Sequence, residues 1–275
     1  MNQSIKYDRI VPVLAVLCVF GVLSAGPVLG QAADESGERD ANETLDGPYF
    51  LRSADPLETG ELELKFVYGY ERDAGEEEEH EVEFVLEWGL AEGHEFILEI
   101  PVELGEGKVE GNGDIAEFGF HSRIWNEDGL MPAFSMRNLI RIPTGYESDG
   151  VDYIGRGLFT STLIPGSLRF HFNPFLKSIN GNQDEDTRDF QWGAAVGFDY
   201  RVNDDLLFIM DYQNFSSDEE GVSRQQNLEI GADWEFAEDQ KVGFQTQFEL
   251  DGDGHGADIG ARISYIVELQ APSLN

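Results

Sequence analysis

Apolar and polar residues alternate at every second position in runs of about ten, the period of a β-strand with one dry and one wet face. In the first run Leu62, Leu64, Phe66, Tyr68 and Tyr70 interleave with Glu61, Glu63, Lys65 and Glu71. A tilted strand needs about ten residues to cross a bilayer. Twelve such runs follow the N-terminal region: 60–71, 80–90, 94–104, 114–125, 132–143, 156–164, 167–178, 189–202, 205–215, 226–236, 240–250 and 257–269. Val82, Phe84, Leu86, Trp88 and Leu90 mark the second, and Phe190, Trp192, Val196, Phe198 and Tyr200 the eighth. Neither helical periodicity nor linker composition interrupts them, which argues for one domain.

The connections add a second pattern. Short ones fall around Glu92, Asp128, Gly166, Asp204 and Glu238, and long ones near Glu77, Glu110, Asp149, Asn182, Glu219 and Gly254, in alternation. An even strand count with short turns at one end and long loops at the other is the pattern of bacterial outer-membrane barrels. The sequence therefore predicts an all-β fold: a single antiparallel up-and-down transmembrane β-barrel of about twelve strands over residues 60–269, with a tail at 270–275. Both termini would lie on the periplasmic side of the outer membrane. A soluble sandwich or lipocalin-like barrel also alternates, but it points its apolar series inward, and twelve long strands enclose too wide an interior for side chains alone to fill. Tyr68, Tyr70, Trp88, Trp125, Trp192, Tyr212 and Trp234, near the ends of runs, suit interfacial girdles.

At the N-terminus Lys6 and Arg9 precede the apolar stretch Ile10 to Leu29 and the small residues around Gly30, Gln31 and Ala32. This is the order of a signal peptide over residues 1–32, cut after Ala32; an uncut anchor is the alternative, weakened by Pro12, Gly21, Gly26 and Pro27. Removing the leader removes Cys18, the one cysteine, and with it any disulfide or thiol chemistry. Residues 33–59 are rich in Asp, Glu, Gly, Ser and Asn and read as a flexible acidic segment.

A formal charge of −36, from 54 acidic and 18 basic residues, argues against nucleic acid as a partner. Solvation in a salty habitat and cation binding both account for the excess. The partners implied are outer-membrane lipids, the barrel assembly machinery and small-molecule solutes.

If the apolar series faces lipid, its complement faces the lumen. The first three runs contribute Glu61, Glu63, Glu81, Glu83, Glu87, Glu95, Glu99 and Glu103, and the next four Arg123, Arg137, Arg141, Arg169, His171 and Lys177, with Glu117 and Asn173 among them. An acidic arc and a basic arc would then adjoin and pair across the barrel. Glu83, Glu99, Arg123, Arg137, Arg141 and Arg169 are the opposed charges expected to contact solute. Asp211, Glu229, Asp233, Gln245, Gln247 and Glu249, relieved by Arg262, tilt an open lumen toward cations.

No catalytic, metal or cofactor site is expected. His80, His94, His121, His171 and His255 lack the spacing of a metal site, and DGDGHGAD, with Asp251, Asp253 and Asp258, lacks the ligand ladder of a calcium loop. The run Glu76 to Glu79 reads as a solvated tip. Ser161 and His171 are the nearest nucleophile and base for an outer-membrane lipid hydrolase, without a nucleophile elbow. That enzyme, and a plugged structural or adhesive barrel, are the alternatives to a passive channel. Asp258, Gly260, Ile263 and Tyr265 in the last run are spaced like the C-terminal insertion signal of outer-membrane barrels, although the chain continues to Asn275.

The segment GDIAEFGFHSRIW (113–125), followed by MRNLIRIPTGYESDGVDYIGRG (136–157), resembles the outer-membrane transporter barrels associated with the meta-cleavage pathway of phenol degradation. In that family a strand opening with Gly-Asp precedes one ending in Pro-Thr-Gly, here Pro143, Thr144 and Gly145, and a Gly-rich loop. GAAVGFDYRVNDDLLFIMDYQN is similar to its recurring hairpins. The resemblance implies a barrel that passes small, often hydrophobic or aromatic solutes and has no catalytic residues. The acidity of this chain departs from a typical member.

Overall fold

The computed structural model describes residues 50–73, 78–104, 115–144, 150–180, 188–217, 221–250 and 257–271. Residues 1–32, read from the sequence as a signal peptide, residues 33–49, the tip at 74–77, Asp251, Asp253, His255 and most of the tail lie outside the described residues.

Each alternating run forms a strand: β1 (Glu61–Asp73), β2 (Glu78–Ala91), β3 (His94–Leu104), β4 (Ile115–Trp125), β5 (Ala133–Pro143), β6 (Asp152–Ile164), β7 (Leu168–Ser178), β8 (Phe190–Asn203), β9 (Leu206–Phe215), β10 (Gln225–Ala237), β11 (Gln240–Glu249) and β12 (Ala257–Gln270). Every strand pairs antiparallel with its neighbours in the chain, and β12 returns to β1 in a ladder from Glu61↔Gln270 to Asp73↔Ala257. Closure leaves no unpaired edge, the condition that lipid imposes on a spanning sheet. Ile263 and Tyr265 sit on this closing strand and point outward.

The outward series is the apolar one. Phe66, Trp234 and Phe244 are about half exposed, whereas the inward Glu63, Asp211 and Glu229 are 1% exposed. A water-soluble barrel would show the reverse, so the exterior is a lipid-facing surface. Aromatic side chains meet across neighbouring strands on this face, with ring centroids 5.3 Å apart for Phe66 and Phe84, 5.8 Å for Phe96 and Phe120, and 5.3 Å for Phe170 and Phe198. Two girdles close the belt: Trp88, Trp125 and Trp234 near the short-turn end, and Tyr68, Tyr70, Trp192 and Tyr212 toward the other.

Two details differ from the sequence pattern. Strand β6 begins at Asp152, before the muddied alternation of Gly155 and Gly157, because Asp152 pairs in register with Arg141 and its carboxylate accepts from the Asn180 amide at 2.7 Å. Strands β1 and β2 pair as far as Arg72↔Glu78, so their connection shrinks to 74–77 while the one between β4 and β5 covers 126–132. The strict alternation of short and long connections therefore fails at β1–β2.

No single apolar core exists. Three small buried clusters line the inside instead: Ile97, Leu139 and Ile154 on the wall, Ala133 and Leu158 around Ala54, and Ala195 and Ile209 around Leu51. Two of the three thus enclose residues that precede β1. Residues 50–59, assigned by the sequence to a flexible acidic segment, are largely buried inside the barrel, because Leu51, Ala54 and Leu57 find apolar seats there.

The opposed faces can be checked by substitution. Phe244→Arg on the lipid side should lower unfolding stability in liposomes by about 2–4 kcal/mol, whereas Gln247→Arg on the lumen side of the same strand should change it by less than half as much, read from urea titrations by tryptophan fluorescence.

Candidate functional site in the barrel lumen

A strap, residues 50–58, runs down the lumen from the half nearer the long connections to the short-turn rim, where β1 starts. It lies against polar side chains that accept its backbone N–H groups. Phe50 donates to Glu229 Oε2 at 3.1 Å, Arg52 to Asn173 Oδ1 at 2.7 Å, Ala54 to Thr160 Oγ1 at 2.8 Å and Leu57 to Glu95 Oε2 at 3.0 Å. Asn173 also donates its amide back to the Arg52 carbonyl at 3.1 Å. Backbone groups buried away from water need such partners, and here the wall provides them from β3, β6, β7 and β10.

Asp55 is the electrostatic latch of the strap. Arg123 on β4 donates to its Oδ1 at 2.8 Å, and Arg169 on β7 stands 3.6 Å from its Oδ2. At the rim Gly60 donates to the Gly89 carbonyl at 2.8 Å. Gly89 itself faces inward, and a Cβ there would lie 1.8 Å from the Glu58 carbonyl oxygen. Only glycine permits this approach of strap to wall.

Around the strap the charges pair across strands. Lys65 on β1 bridges Glu63 and Glu87, Arg137 on β5 bridges Glu87 and Glu99, and Arg141 binds Glu117 at 2.8 Å with Asp152 at 3.7 Å. Arg169 binds Asp199 at 2.6 Å, and Asp199 also holds His171 at 2.9 Å. His171 reaches Thr160 Oγ1 at 3.0 Å, and in a parallel arrangement His121 reaches Ser135 Oγ at 2.6 Å with Glu95 at 3.4 Å from its other ring nitrogen. The neighbouring acidic and basic arcs expected from the sequence are present and do pair, chiefly through Arg137.

Above the strap, toward the long connections, a cavity of about 430 Å³ remains. Its wall carries five carboxylates (Glu71, Glu83, Glu99, Glu229 and Glu249) and five cations (Arg52, Lys65, Arg137, Arg156 and Arg262), with Phe50, Val67, Val85, Leu139 and Phe215 between them. Of the six charges singled out by sequence, Glu83, Glu99 and Arg137 line this cavity. Arg123 and Arg169 instead hold the strap, and Arg141 is engaged within the wall by Glu117 and Asp152. Arg156, Arg52 and the phenylalanines of the cavity were not singled out. For Phe215 the signal was an apolar residue interrupting an inward polar series, as at Val67, Val85 and Leu139; Phe50 and Arg52 precede β1 and belong to no such series.

Ser161 and His171 do not come together. His171 stands opposite Thr160 in the β6–β7 ladder, while Ser161 pairs with Phe170 on the lipid-facing side. Among the described residues no group of three potential ligands could hold a metal ion.

The NanC porin superposes with a TM-score of 0.57 at 12% identity, covering 75% of this chain and 100% of the porin. An outer-membrane channel from Pseudomonas putida F1 superposes with a TM-score of 0.58 at 10% identity, covering 86% of this chain and 100% of that one. The likeness is one of fold. No family model matches the sequence, and no curated protein is similar to it.

The strap's seating is testable with a thiol at Ser53, which is 3% exposed. In a Cys18→Ser background, Ser53→Cys should resist a water-soluble maleimide; adding Asp55→Ala should accelerate labelling by about tenfold, the loss of one buried charge-assisted contact, and adding Gly89→Ala should accelerate it too by driving a methyl group into the Glu58 carbonyl.

Proposed function

We propose that this protein is an outer-membrane channel through which small solutes diffuse passively, with a lumen narrowed by residues 50–58. The observation that carries this reading is the pairing of an apolar, aromatic-girdled exterior with a charged interior that retains a cavity of about 430 Å³. On this reading both termini are periplasmic, the short turns face the periplasm, and lipids and the barrel assembly machinery are the partners of the outer surface.

The cavity's balanced charges modify the expected cation preference. The acidic excess of the chain raises cation concentration near the mouths, while five carboxylates against five cations leave the passage itself without a dominant sign. Selection then rests on size and on the ability to replace water at both kinds of charge. The resemblance over residues 113–157 points to small hydrophobic or aromatic solutes of the kind linked to phenol degradation. Phe50 and Phe215 provide an apolar patch in the cavity for the non-polar part of such a solute.

A plugged barrel is the second reading, favoured by the burial of Leu51, Ala54 and Leu57 and the five-point attachment of the strap. Planar-bilayer recording decides between them. The channel reading predicts discrete steps of small unit conductance and weak ion selectivity, with a several-fold rise in conductance for Gly89→Ala combined with Asp55→Ala. Silence in both the natural protein and this variant would leave the plugged barrel.

A further inference from the structure

One cation in the cavity is out of keeping with the rest. Lys65, Arg123, Arg137, Arg141, Arg169, Lys241 and Arg262 each have a carboxylate within ion-pair distance. Arg156 has none among the described residues, in a chain with 54 acidic side chains against 18 basic ones. Its Nε is buried without a hydrogen-bond partner. It also stands directly opposite Arg137 in the β5–β6 ladder, a like-charge pairing that destabilises a sheet. Glu87 and Glu99 make the direct contacts to Arg137, and Arg156 is left with only the longer-range attraction of Glu99 and Glu117.

The surroundings of Arg156 are apolar on one side. Its guanidinium lies 4.4 Å from the centroid of the Phe50 ring, which meets Phe175 at 5.4 Å and Phe215 at 6.3 Å. Phe50, Phe215 and Arg156 all open onto the cavity. A planar fork of donors without an acceptor, fixed beside an aromatic floor, matches a carboxylate attached to an apolar body.

We infer that Arg156, with Phe50 and Phe215, forms a binding site for a small organic monocarboxylate whose apolar part rests on the two rings. The inference deepens the channel reading by naming a solute class, and as a statement about transport it rests on that reading. The negative charge of the whole chain opposes anion entry at long range, but at 0.15 M salt this field is screened beyond about 8 Å. Inside the cavity the contact with Arg156 decides the sign.

Titration calorimetry on the refolded full chain in detergent micelles tests the site, with protein-free micelles as the blank and cyclohexanecarboxylate, cyclohexylmethanol and cyclohexylammonium as probes. The carboxylate should bind more tightly than the alcohol, and the ammonium least. Arg156→Gln should weaken the carboxylate about tenfold or more, Arg156→Lys should weaken it less, and Arg224→Gln, which removes a cation stacked on the outer face over Trp192, should leave it unchanged. Heat-modifiable gel mobility identifies folded variants, and if Arg156→Gln does not fold, the comparison of Arg156→Lys with the natural protein decides. Equal affinity in the Arg156 variant, preference for the ammonium, or no heat above the blank overturns the site. Bilayer steps without carboxylate binding would remove this site and leave the channel, whereas binding without steps would remove the channel and leave the site.

Discussion

The lipid-facing surface is the constraint from which the rest follows. A backbone group exposed to hydrocarbon has no water to bond, so the sheet must close, and the residues between its ladders must divide by face. With a period of two, a slip of one residue would drive Glu63, Lys65 and Glu87 into lipid and Phe66 and Phe84 into the lumen. Register is thereby fixed all round the barrel, and the position of every lumen charge with it. The cross-strand ion pairs, such as Arg137 with Glu87 and Glu99, are consequences of that register and do not set it.

A polar interior brings its own demand, since charges partly withdrawn from water need partners. Removing one member of a buried pair costs about 3–5 kcal/mol, while the intact pair adds little net stability. The wall meets part of this demand alone, through Lys65, Arg137 and Arg141. Around Arg123 it does not, and Asp55 from the strap provides the missing carboxylate while also standing 3.6 Å from Arg169, which Asp199 already binds. The strap in turn gains acceptors for its N–H groups and seats for Leu51 and Leu57, each side chain worth about 1.5–3 kcal/mol when fully buried. Strap and wall complete one another, which is why a segment of no regular structure is ordered in a lumen that water could otherwise fill.

Strands were legible in the sequence because lipid favours apolar residues at every second position on the outer face: Val82, Phe84, Leu86 and Trp88 read directly as β2. The inward set was legible for the same reason, and so were the pairing arcs around Arg137. The strap was not, because irregular structure leaves no period. Its trace was compositional: Phe50, Leu51, Ala54 and Leu57 form an apolar island after an acidic stretch. The inward Leu158, Ala195 and Ile209, which break the polar lumen series, are the surfaces that receive it. Neither half of this match identifies the other until the barrel brings them together. The role of Arg123 was misread for the same reason, since its partner Asp55 belongs to a segment without a pattern.

The acid–histidine–hydroxyl arrays show how the strap divides the lumen. Glu95, His121 and Ser135, and likewise Asp199, His171 and Thr160, stand in an order that acyl-transfer enzymes use. Catalysis requires the hydroxyl to meet a substrate, yet Ser135 is fully buried and Thr160, 2% exposed, already accepts the Ala54 N–H. Glu95, the acid of the first array, accepts the Leu57 N–H in the same way. Each array thus terminates on the strap and orients an acceptor for it, a structural use of the same hydrogen-bonding chemistry. The half of the lumen nearer the short turns is therefore filled by mutual satisfaction, and the free volume and Arg156, which no carboxylate among the described residues contacts, are left to the half nearer the long connections.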